Sequence, residues 1–245
     1  MNNAINHIKD SIASGQPILQ IVSYEEKRVE NYMAKIAEQV LKTDNLLFWD
    51  INNGITENNQ TVNQTQDPVQ AIDYFMSKNT VGIIIFRDLN PLIRQSPEII
   101  RKLREAYKKL KNSKKLIILL SSDEYFPDSI KKEIDIIHFD LPDYDELKNL
   151  FFKFLDSIEK SGRRINLDEK QKKTFIIAAQ GLTLDEAYRA FMKAFQGKNS
   201  ISIDLVNIIQ ALVIMFIAAD QIIRWLYRMR ARREAAVVFT RGWGG

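Results

Sequence analysis

Two runs of the chain leave almost no freedom in the kind of fold it can adopt. Val81 to Phe86 (Val-Gly-Ile-Ile-Ile-Phe) and Leu116 to Leu120 (Leu-Ile-Ile-Leu-Leu) are short and apolar throughout, with no polar residue on alternate positions. A strand of that kind has to be covered on both faces, which is the situation of a central strand in a parallel sheet. Three further short runs, 18–22, 46–51 and 134–139, complete a set of five. Between them lie stretches with helical start signals. Ser23 with Glu26 reads as a capping box before Val29, Met33, Ile36 and Val40. Asp67-Pro68 opens a helix to Met76, Ser96-Pro97 opens a basic one to about Lys111, and Asp143 with Glu146 caps one from Tyr144 to about Glu159. Strands alternating with helices at this spacing predict an α/β fold with a five-stranded parallel sheet and right-handed crossovers.

The 15 residues from Asn52 to Gln66 read as a polar loop. Beyond Ser161-Gly-Arg-Arg, a linker, residues 168–180 and 183–196 read as a helical pair, the second capped by Thr183 and Glu186. The expected organisation is an α/β domain over 1–160, a small helical lid over 161–204 and a separate element over 205–245. That last element differs in composition from the rest. Residues 201–245 hold no Lys, six Arg and three acids, whereas residues 1–200 are nearly neutral and carry all but one of the Asn. It reads as a helix and tail appended to the body, by nature or by engineering.

Composition excludes several classes of function. The chain has no Cys, which removes disulfide scaffolds and thiolate metal sites, and its two His residues cannot make a metal centre without carboxylates. Asn2 to Asp10 is polar and has no apolar core of a secretory signal, so the cytosol is the expected compartment. The helix after the first strand is where a parallel α/β fold binds phosphate, and a phosphate cradle needs glycines and a Lys. Here the turn is Ser23-Tyr24-Glu25-Glu26-Lys27-Arg28, with no Gly and two carboxylates. The nearest fragment of a phosphate loop, Gly197-Lys198, has Met192 in place of its first Gly and Asn199 in place of its hydroxyl. No catalytic residue and no cofactor is therefore expected. Asp88, at the end of Ile83–Arg87, and Ser121, at the end of the Leu116 run, remain candidates for a non-standard nucleotide site.

The basic residues Arg101, Lys102, Arg104, Lys108, Lys109, Lys111, Lys114 and Lys115 lack an aromatic platform, so a solvated face is expected and not a nucleic-acid surface. His138 is expected to be a satisfied core or edge residue.

Several segments together resemble an AAA ATPase module: the strand and acid Ile83–Asp88, "FDLPD" at Phe139–Asp143, and the turn "GLTLDEA" at Gly181–Ala187. More closely, the chain resembles the degenerate N-terminal AAA-like region of an AAA protein family encoded in algal chloroplasts, cyanobacteria and other bacteria. Pro17–Glu26, Asp67-Pro68, "FRDLNPLI" at Phe86–Ile93 and "LKNSKKLIILLS" at Leu110–Ser121 carry that likeness over about residues 1–204. The resemblance implies a P-loop-type fold with a helical lid, an active ATPase module beyond this region, and the plastid stroma as compartment for an algal chain. It transfers no catalytic residue, because the positions that would bear them lie beyond the likeness.

From Leu205 onward, Ile208, Leu212, Met215, Ala219, Ile222, Leu226 and Met229 follow helical spacings of three and four, and Phe216 and Ile223 widen the stripe. Such a face must be buried in something. The uninterrupted apolar run Ala211–Ala219 is nine residues, well short of the roughly 20 that span a membrane. Interfacial anchoring through the basic stretch Arg224 to Arg233, or packing on the chain's own lid, are the alternatives. A second copy or another protein binding residues 205–230 is the expected partner.

Overall fold

A computed structural model describes residues 3–195, apart from Asn59, Asn112, Phe126, Arg163 and Arg164. These residues fall into two compact units that divide between Asp140 and Leu141.

The first unit is built on seven strands: β1 (Ile18–Val22), β2 (Leu46–Asp50), β3 (Gly54–Glu57), β4 (Gln60–Thr61), β5 (Gly82–Arg87), β6 (Lys115–Ser121) and β7 (Asp135–His138). Their order across the sheet is β4-β3-β2-β5-β6-β1-β7. The five expected strands are β1, β2, β5, β6 and β7, and every pairing among them is parallel. Alternate residues of each strand feed two cores. Ile18, Ile84, Phe86, Ile117 and Leu119 face one side, with α3 (Pro68–Ser77), α4 (Asn90–Gln95) and α5 (Pro97–Leu110). Leu19, Ile21, Ile83, Ile85, Ile118 and Leu120 face the other, with α1 (Asn3–Ala13) and α2 (Glu26–Ile36). Both faces of the central strands are thus dry, which is why their sequences carry no alternation.

The polar segment after β2 is not a loop. It forms the antiparallel hairpin β3–β4 on the outer edge of β2, which raises the strand count from five to seven. Thr65 organises it. Its Oγ1 accepts the Ile55 N–H at 2.8 Å and donates to the Val62 carbonyl at 2.6 Å, while its own carbonyl accepts the Trp49 indole N–H at 2.7 Å. Gly54 makes the approach possible: it sits at φ +68°, and a Cβ there would lie 2.7 Å from Thr65 Oγ1. The polar sequence concealed the hairpin because an edge hairpin buries little besides Ile55. Helix α1 was concealed in a similar way, although Ala4, Ile5, Ile8 and Ile12 have helical spacing.

Local capping follows the sequence in most places. Asp67 and Ser96 cap α3 and α5, and Asp143 with Glu146 forms a full capping box at α6 (Tyr144–Lys160). At α2 the expected Ser23–Glu26 box is absent. Ser23 Oγ accepts the Glu25 N–H at 3.1 Å, and Glu25 stands as N-cap without a capping side chain. The last turn of the helix then widens to a π-helical segment over Ala37–Leu41, ended by Lys42 at φ +57°.

The second unit contains α6, α7 (Glu169–Ala178) and α8 (Leu184–Phe195). Its core is dominated by phenylalanine. Phe151 lies between Phe175, stacked at 5.6 Å, and Phe191, edge-on at 4.9 Å, with Phe195 at 6.2 Å. Helix α6, which its position ahead of the linker assigned to the α/β domain, therefore belongs with the helical pair, because its apolar stripe is buried against them.

Phe151→Ala is expected to lower the opening free energy of α6–α8 by about 3–5 kcal/mol. Hydrogen exchange would show this as lost protection in those helices, with β1, β5 and β6 unchanged.

Candidate functional site

Chain direction picks out one place on the sheet. After β1 the chain crosses by α2 to β2, and after β6 it passes to β7 on the far side of β1. The strands β1 and β6 are neighbours, yet the chain leaves them for opposite edges. In open α/β sheets the ligand crevice lies outside the carboxyl ends of such a pair.

The turn leaving β1 fills that place with side chains. Arg28 is 6% exposed, and its Nη1 donates to Glu25 Oε2 at 2.8 Å and to the Asp140 carbonyl at 2.6 Å. Its guanidinium lies 5.0 Å from the Phe139 ring centroid and 5.9 Å from that of Tyr32. The positive end of the α2 dipole, where an external anion would bind, is occupied by the chain's own Glu25 and Glu26.

Beside this pair stands a group of carboxylates around Arg87. Arg87 Nε meets Glu30 Oε1 at 2.7 Å, with Asp50 at 3.8 Å and Glu26 at 3.9 Å. Burial raises the Glu26 carboxyl above its ordinary pKa, and the nearby Asp88 charge adds to this, with Arg87 only partly offsetting them. Burial pushes Asp50 upward as well. The Asn53 side chain and the Asn52 and Asn53 N–H groups outweigh it and hold that carboxyl below its usual range. Among the described residues, no group of three or more His, Asp or Glu is placed to hold a metal ion.

The two candidates from the sequence occupy different environments. Asp88 is exposed and sits at φ +50°, with its N–H bonded to the Leu120 carbonyl at 2.9 Å. Ser121 is buried: its Oγ accepts from Asn90 Nδ2 at 2.8 Å and donates to the Asp123 carbonyl at 2.8 Å. Gln20 Nε2 donates to that carbonyl too, at 3.1 Å, so Gln20, Asn90 and Ser121 pin the chain after β6. Sequence reasoning missed Arg28, Glu30, Arg87, Gln20 and Asn90. The one available signal was Gln20, a lone amide inside an apolar strand.

Part of the positive charge of α5 is paired, while Arg101 and Lys108 are exposed. Lys102 pairs with Asp73 at 3.0 Å and Glu105 at 3.1 Å, Lys109 with Glu105 at 2.8 Å, and Arg104 with Glu133 at 3.4 Å. Lys115 belongs to β6 and donates to the Phe75 and Met76 carbonyls that end α3. His138 is exposed on the edge strand β7, 3.0 Å from Glu124. The C-terminal stripe residues Ile208 to Met229 lie outside the described residues.

Comparison with known proteins decides the family. A profile described as "SpoVK-like AAA ATPase, N-terminal domain" matches residues 4–139, and one for the second domain matches 145–212. The chain belongs to the SpoVK-like AAA ATPases. The two matches meet where the compact units divide, and the second runs past Asp204, where the sequence placed the loss of likeness. The AAA domain-containing protein ycf46 of Guillardia theta is 29% identical over 196 residues, covering 79% of this chain and 37% of the relative. Its counterpart in Trieres chinensis is 26% identical over 79% of this chain and 38% of the relative. The chain thus spans little more than a third of these relatives. Caenorhabditis elegans PCH-2 aligns with a TM-score of 0.51 at 10% identity, over 88% of this chain and 66% of that one. A Thermotoga maritima RuvB variant aligns at 0.50 with 13% identity, over 86% and 68%. These likenesses establish the AAA-type α/β fold.

The nucleotide that an AAA fold implies does not fit the residues present. A triphosphate at the β1–α2 turn would meet no glycine cradle, and it would face Glu25, Glu26, Glu30, Asp50 and Asp88 with Arg28 and Arg87 already paired.

Arg28→Met removes the guanidinium 2.8 Å from Glu25 and is expected to destabilise the first unit by about 3–5 kcal/mol, with Glu25→Leu added to it restoring most of the loss; urea unfolding measures both. Because the Glu26 pKa is raised in the fold, Glu26 contributes stability that is complete below its ordinary pKa and lost as pH rises through the folded one. Glu26→Gln is therefore expected to raise the melting temperature at neutral pH, with an advantage that shrinks in melts taken towards about pH 4.

Proposed function

We propose that this chain is a non-catalytic AAA-like module that acts through protein association, in the cytosol or plastid stroma. The carrying observation is the buried Glu25–Arg28 pair, 2.8 Å apart, at the position where a nucleotide phosphate would have to lie. Arg28 is committed there to a carboxylate and a carbonyl. The five acids near the crevice would repel a triphosphate, whose own charge needs cations and backbone N–H groups that this turn does not offer. Ser121, the second candidate for a nucleotide contact, spends its hydroxyl on Asp123 and on the Asn90 amide.

The association element in this reading is the apolar stripe Ile208, Leu212, Met215, Ala219, Ile222, Leu226 and Met229, with Phe216 and Ile223 beside it. It has the spacing of a helix–helix seam and the length of two or more heptads. Its partner is a second copy of the chain or the neighbouring module of a longer AAA assembly.

Calorimetric titration of the full chain with Mg-ATP tests the first half, with no saturable heat expected; binding tighter than about 100 μM would overturn the reading. Light scattering tests the second half. The full chain is expected as a defined oligomer that becomes monomeric on Ile222→Glu with Met229→Glu, and an unchanged mass would remove the stripe as its interface.

A further inference from the structure

Asn53 precedes Gly54, and no other glycine of the chain has an asparagine before it. The hairpin imposes that pair. Gly54 sits at φ +68°, and a Cβ on it would lie 2.7 Å from Thr65 Oγ1 and 2.8 Å from the Thr65 carbonyl carbon, so no side chain fits there. A glycine leaves its backbone nitrogen unshielded and its backbone free to turn, so that nitrogen can reach the side-chain carbonyl carbon of the asparagine before it. Asn53 is exposed in the turn between β2 and β3. Asp50 restrains it. Asn53 Nδ2 donates to Asp50 Oδ1 and Oδ2, both at 3.1 Å, while the Asn52 and Asn53 N–H groups donate to Oδ1 at 3.0 and 2.9 Å. An amide gripped by both carboxylate oxygens has to give up those bonds before its carbon can turn towards Gly54.

We propose that Asn53 is a site of self-modification in this chain, converted to aspartate or isoaspartate with water as the only co-reactant, and that Asp50 sets the rate by holding its amide. The Gly54 nitrogen attacks Asn53 Cγ. The Cγ–Nδ2 bond breaks, and Nδ2 leaves as ammonia with the proton given up by the Gly54 nitrogen. Water then opens the five-membered imide, and no electrons change hands. Addition at Cγ gives aspartate, whereas addition at the main-chain carbonyl gives isoaspartate, whose main chain runs through Cβ. Either product sets a carboxylate against Asp50 where an amide had donated, which turns two hydrogen bonds into like-charge repulsion. The acids around Arg87, which lies 3.8 Å from Asp50, then gain a further member. Isoaspartate also lengthens the chain between Asp50 and Gly54, which face each other across the β2–β3 ladder, and so loosens the hairpin. The inference concerns the exit of β2 and holds whether or not nucleotide binds.

The full chain and its Asp50→Ala variant are incubated in mildly alkaline buffer and digested, and the peptide carrying residues 53–54 is followed by mass spectrometry, with chromatography separating aspartate from isoaspartate. Both products are expected to accumulate in the full chain, and at least about tenfold faster in Asp50→Ala, the factor that lost hydrogen bonds to a carboxylate allow. Hydrogen exchange of the Ile55 N–H, which Thr65 Oγ1 accepts, shows whether the variant keeps its hairpin. Should it not, Asp50→Asn takes its place: it retains an acceptor for the Asn52 and Asn53 N–H groups, and its rate is expected to exceed that of the unaltered chain. No conversion at Asn53 in the full chain would overturn the site, and equal rates in chain and variant would overturn the role of Asp50. Asn53→Asp supplies the product directly and is expected to lower the melting temperature at neutral pH; an unchanged value would show that a carboxylate there does not disturb Asp50.

Discussion

A single buried guanidinium ties together the segments that leave the sheet at its carboxyl edge. Arg28 reaches from the first turn of α2 to the Glu25 carboxylate behind it and to the Asp140 carbonyl at the exit from β7, with the Phe139 and Tyr32 rings against it. Its burial is tolerable because polar partners and aromatic rings are in place around it. The β1 exit, the start of α2 and the β7 exit are thereby held to one another. The ladder continues the same clamp, since the Phe139 N–H bonds the Val22 carbonyl at 3.0 Å and the Ser23 N–H bonds the Ser121 carbonyl at 2.9 Å. In a fold whose strand ends are the natural place for a ligand, these side chains occupy the exit of β1.

Charge around the clamp follows from that arrangement. Arg28 and Glu25 pair with each other, and Arg87, with Lys27 3.6 Å from Glu30, faces the acids Glu26, Glu30, Asp50 and Asp88. Glu30, 5% exposed, takes the shortest contacts to Arg87, while Glu26 lies farther off and is the carboxyl whose pKa rises. A phosphate site needs the opposite balance: unpaired N–H groups and a free cation converging on one point. The β1–α2 turn supplies carboxylates in their place, while the sheet keeps the strand order that creates the crevice.

How much of this could be read from the sequence depended on how local the determining physics was. The five parallel strands were legible because a doubly covered strand is apolar at every position, and the caps at Asp67, Ser96 and Asp143 because they need only neighbours three residues away. The β3–β4 hairpin was not, since its shape depends on Thr65 reaching back to Ile55 and Trp49. The missing glycines at Ser23–Arg28 were visible as an absence. What replaces them was invisible, because Arg28 meets Asp140 across 112 residues and Arg87 meets Glu30 across 57. Ser121 was identified as a strand-end residue, but its engagement by Asn90 and Asp123 appears only once β5 and β6 are side by side.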